Sequence, residues 1–226
     1  MSTIGSTSGS GGRGTPPSPP VVSQACEQAR RLLMITLAQH RRTEDALVSL
    51  SPVRGRLKVL PPGATQSRNR RESVLVRAVS IVESYVSDQL VVRLAPLAPV
   101  PRSALVENLY GQFEDKGTAS WIELDNYFKK YVHSSVRIKT YTSWSNVNAA
   151  IEARNAVVHG LGWFTARQQR KNLHQTNKSA LQALKFDLTD SDTRVHVTPD
   201  AIEGTVALLR DYLEWLDNLL TTHSPL

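Results

Sequence analysis

The sequence predicts an all-α protein, an up-and-down helical bundle behind a disordered N-terminal tail. Three observations predict it. Apolar residues recur at three- and four-residue spacing along several long stretches, the period of one helix face. Prolines cluster between those stretches. Met1 to Pro20 is built of Ser, Gly, Thr and Pro with almost no apolar side chains, so it cannot offset the entropy lost on ordering. A chain of 226 residues with 40% hydrophobic content is long enough for one well-buried core. Residues 1–20 are therefore expected to form a tail and residues 21–226 a single helical domain.

The first helix is expected from about Val21 to Leu50, carried by Ala25, Ala29, Leu32, Leu33, Ile35, Leu37 and Leu47 and ended by Ser51-Pro52. After Pro61-Pro62-Gly63, Ser67 to Leu94 reads as a second long helix with two apolar faces. Leu75, Ala78, Val82 and Tyr85 form one, and Val76, Val79, Val86 and Leu90 the other. A helix apolar on two sides belongs in the middle of a bundle. Prolines 96, 99 and 101 stop it. Short helices are expected over Ser103–Phe113 and Ser120–Val132, the latter with a packing stripe of Trp121, Leu124, Tyr127, Phe128 and Tyr131. Trp144 to His159 follows as a helix closed by Gly160, and residues 165–178 are polar and basic. Phe186, Leu188, Val195 and Val197 around a Thr-Asp-Ser-Asp turn suggest a short hairpin or irregular crossing. The last helix runs from Thr198-Pro199 to Leu220. No internal repeat is visible.

The net charge of +7 favours an anionic partner, because lysines and arginines that neutralise a phosphate backbone release its counterions. One cysteine, Cys26, allows neither an intramolecular disulfide nor a thiolate zinc site. Neither a signal peptide nor a bilayer-spanning run is seen, so a cytoplasmic protein without membrane contact is expected. His40, His133, His174, His196 and His223 stand singly without metal-ligand spacing and read as surface residues. With no P-loop, Gly-rich dinucleotide turn or nucleophile elbow, no metal or cofactor is indicated.

The chemistry concentrates in Arg154-Asn155-Ala156-Val157-Val158-His159. Arg154 is in register with Val147, Ile151 and Val158 and so projects from an apolar face. An inward guanidinium needs a carboxylate or a visiting anion, since an unpaired buried charge costs several kcal/mol. Glu83, in register with Val76, Val79, Val86 and Leu90, is the candidate partner. His159 lies roughly 140° around the helix from Arg154. At a helix end the two can still converge. Asn155 and Glu152, one and two turns before His159, are placed to orient its ring. On residues alone a second reading stands beside this: Arg154–Glu83 as a structural salt bridge, with His159 favoured at its helix end by the dipole. Two basic segments, Arg68, Arg70, Arg71 and Arg77, then Arg167, Arg170, Lys171 and Lys178, read either as substrate contacts or as solvated surface.

Arg154 to Gly160 resembles the signature of the HEPN superfamily, an Arg followed by a polar residue and then a His a few positions on. Val82-Glu83-Ser84-Tyr85, the Trp121–Tyr131 stripe and Trp144 at the start of the signature helix resemble the RiboL-PSP-HEPN group in order and spacing, over about residues 66–220. The resemblance implies a dimerising helical bundle whose signature helices form a shared, metal-independent ribonuclease site. It implies His159 as general base or acid, Arg154 as stabiliser of phosphate charge and Asn155 as an assisting polar group. It also implies a toxin or defence effector with an antitoxin or defence partner. One departure is plain: toxins of this superfamily controlled by nucleotidyltransferases carry a Tyr two residues past the His, where this chain has Leu161. Silencing through such a tyrosine is not supported. The alternatives are a non-catalytic HEPN module that dimerises and binds RNA or nucleotides, and a purely structural bundle with Arg154 locked to Glu83.

Overall fold

A computed structural model of the chain describes residues 22–49, 62–94, 120–189 and 191–223. The tail expected over 1–20, the stop at Ser51-Pro52 and the helix expected around 103–113 lie outside the described residues. The remainder is mainly helical. In order come α1 (Gln24–Ser49), α2 (Pro62–Leu94), α3 (Trp121–Tyr127), a π-helical turn (Phe128–Val132), α4 (Trp144–Gly160) and the short α5 (Ala166–Arg170), α6 (Leu173–Thr176) and α7 (Lys178–Ala183). The hairpin β1 (Asp187–Thr189) and β2 (Arg194–His196) and then α8 (Pro199–Thr222) complete it.

The four long helices α1, α2, α4 and α8 alternate in direction. Arg41 pairs with Glu203 and Ser23 with Asp217, which sets α1 antiparallel to α8. Arg71 reaches Glu44, which sets α2 antiparallel to α1. The two-sided apolar pattern of α2 has the expected outcome: it packs on α1, α4 and α8 and buries Leu75, Ala78, Val79, Val82, Tyr85, Val86 and Leu90. Its start lies earlier than Ser67, at Pro62, where a proline fits because the first helical N–H needs no partner. α8 buries Ile202, Val206, Leu209, Leu213, Leu216 and Leu220 along one side, capped by Thr198 on the Ala201 N–H at 3.0 Å. No helix among the described residues is long and apolar enough to cross a membrane.

The hairpin expected around 185–197 forms, with Leu188 opposite Val195 and Thr189 opposite Arg194. Its second strand is stitched to the chain just after α4. Val195 donates to the Gly162 carbonyl at 2.8 Å, Phe164 donates to the Thr193 carbonyl at 2.9 Å, and the Arg194 guanidinium lies 5.2 Å over the Trp163 ring.

Two readings change. Gly160 does not close α4: it is the last helical residue, and the left-handed cap is Leu161 at φ 53°, followed by Gly162 at φ 95°. The positive φ at Gly162 strains any side chain there, and a Cβ would also press on the Arg68 guanidinium at 3.1 Å and the Val195 carbonyl at 3.3 Å. His40 is not on the surface. It falls on the same α1 face as Leu33 and Leu37 and is 5% exposed, and burial lowers its pKa.

Where α1 meets α2 and α8, one carboxylate joins all three. Asp217, 1% exposed, accepts from the Ser23 backbone N–H at 2.7 Å, the Ser23 hydroxyl at 2.5 Å and the Tyr85 hydroxyl at 2.7 Å. The fully buried Cys26 lies beside it. Burial, and then the Asp217 charge, push the thiol up to about 12. Since thiolate rather than thiol reacts, a maleimide at about pH 8 is expected to leave Cys26 unmodified in the folded protein and to label it fully after unfolding. Labelling of the native protein at the rate of a free thiol would contradict this burial.

Candidate functional site

α4 supplies the site. Ala149, Ala150, Ala153 and Ala156 are strong helix formers and fully buried, so α4 lies close against its neighbours. Arg154 rises between these small residues towards α2, where its Nη2 forms an ion pair with Glu83 Oε2. The pair is partly open, the side chains being 17% and 30% exposed. The other Glu83 oxygen accepts from the Trp121 indole N–H at 3.3 Å. Trp121 is placed by the Ser120 cap of α3, whose hydroxyl accepts from the Glu123 N–H, and by ring contacts with Trp144 at 5.5 Å and Tyr212 at 6.2 Å. Tyr212 in turn donates to the Ile138 carbonyl at 3.1 Å.

Arg154, Asn155 and His159 open into one cleft of about 630 Å³ between α2, the start of α3, α4 and α5. Glu83, Trp121 and Glu152 line its walls, and Arg167 and Lys171 its rim. His159 is exposed in the last turn of α4, beside the helix's unpaired carbonyls. Each helix residue rises about 1.5 Å, so the five-residue step separates Arg154 and His159 by about 7.5 Å along the axis. That separation suits one phosphate and its flanking oxygens.

Not every residue expected at the site lies in the cleft or reaches His159. Glu152 is held away from His159. Its carboxylate accepts from Gln168 Nε2 at 2.6 Å, and its backbone carbonyl accepts from the same amide at 2.9 Å. The physical reason is length: seven residues along a helix is about 10 Å, beyond the reach of a glutamate. Of the basic residues, Arg167 and Lys171 line the cleft and Arg170 does not. Arg68 pairs with Glu72 at 2.7 Å and Arg71 with Glu44 at 3.4 Å, and neither they nor Arg70 line it. Lys178 is tied to Asp192 at 2.6 Å. Arg77 lines a separate groove beside Val76, Val157 and Val158. Val158 also departs from its expected place. The apolar face of Val147 and Ile151 leaves the core before reaching it, and Val158 is 45% exposed, with Leu161 at 80% and Trp163 at 41%.

Gln168 is the residue that sequence reasoning passed over. Only 4% exposed, it caps α5 reciprocally with Thr165: its N–H donates to the Thr165 hydroxyl and its side-chain oxygen accepts from the Thr165 N–H at 2.9 Å. With the two bonds to Glu152, this fastens α5 to α4 and sets Arg167 and Lys171 along the rim. The Thr165-x-x-Gln168 spacing is the signal that could have found it. Trp121 belongs to the packing stripe expected from the sequence, and its indole N–H makes it part of the site as well. Among the described residues no cluster of three or more His, Cys, Asp or Glu is placed to hold a metal ion. No family model, curated protein or solved structure matches the chain.

Proposed function

We propose that the protein is a metal-independent endoribonuclease of HEPN type, acting in the cytoplasm as a toxin or defence effector. The observation that carries this reading is the joint opening of Arg154, Asn155 and His159 into one cleft with Arg167 and Lys171 on its rim. RNA brings its own nucleophile. His159 removes the proton of a 2′-hydroxyl, the 2′-oxygen attacks the adjacent phosphorus, and Arg154 forks onto the non-bridging oxygens as phosphorane charge develops. A protonated histidine gives its proton to the departing 5′-oxygen, leaving a 2′,3′-cyclic phosphate. Every proton transfer is supplied by side chains, so the chemistry needs no metal ion.

Two proton carriers are simplest to supply from two copies of the chain. The exposed Val158, Leu161 and Trp163 flank His159, and a second copy covering them would bring its own His159 near. An antitoxin or defence partner belongs to this reading through the resemblance alone. The Arg154–Glu83 pair favours a second reading, a purely structural bundle in which Arg154 is locked to Glu83, and a HEPN module that binds RNA without cleaving it stands beside both.

The experiment incubates the purified protein with single-stranded RNA in EDTA. Cleavage to 2′,3′-cyclic phosphate ends is expected, with DNA of the same sequence untouched because it lacks the 2′-hydroxyl. Intact RNA that stays bound supports the binding module, and cleavage that EDTA abolishes rules out the metal-free mechanism.

A further inference from the structure

We infer that Glu83 stands in for a substrate phosphate, so that the anion site at Arg154 is closed by the protein's own carboxylate until a phosphodiester of single-stranded RNA exchanges with it. This rests on the reading of the cleft as an RNA site. It adds how the site discriminates between anions.

Four observations carry it. The Glu83 carboxylate accepts from two convergent donors, the Arg154 guanidinium and the Trp121 indole, which is the position two phosphate oxygens would take. The pair lies in the wall of an open cleft and is not sealed in the core, so Glu83 can return to water when displaced. The guanidinium is only half used: Nη2 meets Glu83, while Nε is buried with no hydrogen-bond partner. A two-pronged arginine–carboxylate pair would satisfy both and resist exchange. Finally, Arg167 and Lys171 on the rim pair with no acidic residue among the described residues, whereas Glu152 is committed to Gln168. An incoming polyanion therefore meets two free cations first and one occupied cation behind them.

The exchange works as a threshold. A small monoanion meets the Glu83 competitor without the help of the rim, while a strand that spans the cleft engages Arg167, Lys171 and Arg154 together. Glu83 therefore costs the site affinity and gives it selectivity for chains over single phosphates.

The test measures equilibrium binding of a 2′-O-methyl RNA oligonucleotide, which cannot be cleaved, to the wild-type chain, Glu83→Gln, Arg154→Gln and the double variant. Glu83→Gln is expected to bind about five- to tenfold more tightly than wild type. Arg154→Gln is expected to bind more weakly, and the gain from Glu83→Gln to vanish in its background. Equal or weaker binding by Glu83→Gln would overturn the inference, since Glu83 would then be a strut that holds Arg154 in place. A gain of the same size in the Arg154→Gln background overturns it too, as a general charge effect, and so does a failure of all four proteins to bind. A second measurement needs no variant: the Trp121 indole N–H resonance is expected to shift as wild type is titrated with the oligonucleotide, and a static resonance during binding contradicts displacement. Because no cleavage is measured, loss of the ribonuclease reading alone leaves these outcomes intact.

Discussion

Replacing His159 with alanine is expected to lower the rate of RNA cleavage by about a hundred- to ten-thousand-fold, the range over which a positioned proton-transfer group acts. The fold should hardly notice. The imidazole is exposed at the end of α4, and its loss removes at most a dipole interaction of about 0.3–1 kcal/mol. Kinetics and thermal unfolding therefore separate cleanly: a large fall in turnover with a melting temperature that drops by no more than about 4 °C. Should wild type and His159→Ala degrade RNA at one rate, His159 has no part in proton transfer.

The largest effect on stability is expected at Asp217. Its carboxylate, 1% exposed, is the shared acceptor for the Ser23 backbone, the Ser23 hydroxyl and the Tyr85 hydroxyl, and so ties the start of α1 to α2 and α8. Burial and the Asp217 bond both raise the Tyr85 pKa, so the phenol stays a donor. Alanine at 217 would leave the buried Tyr85 hydroxyl unpaired at about 1–3 kcal/mol and forfeit two bonds to the half-buried Ser23 at about 1 kcal/mol each, for a total loss of about 3–5 kcal/mol. In a domain of this size that is a fall of about 10 °C in melting temperature. Asparagine keeps one acceptor oxygen and is expected to lose less. Urea unfolding of the three proteins checks the order, and an Asp217→Ala loss under about 1 kcal/mol would show that these bonds exchange freely with water.

Much of this architecture is legible in the sequence because helical periodicity is a strong, local signal. The double apolar pattern of α2 predicts its central place. The inward registers of Arg154 and Glu83 predict their meeting, which occurs across two helices 71 positions apart. What periodicity cannot register is the end of an element. Gly160 looks like a stop, yet the helix runs through it and the left-handed residues are Leu161 and Gly162, the latter bonded to the hairpin through its carbonyl. Nor does it register side-chain reach. Glu152 has the correct face to approach His159 and the wrong height, and a glutamine sixteen residues later takes it instead. The basic segments were alike in composition. Their separation into rim cations and tied cations depends on where Glu72, Glu44 and Gln168 lie in space, which composition does not encode.

The stitch between the turn after α4 and β2 bears on how His159 moves. A helix end normally frays alone, opening and closing far faster than the body of the protein. Here the residues just past His159 share their hydrogen bonds with residues 193–195, so that end opens only when the hairpin opens. His159 therefore belongs to one cooperative unit with a strand more than thirty residues later. Protection of the Phe164 and Val195 amides against solvent exchange reports directly on the rigidity of the histidine's end of the cleft.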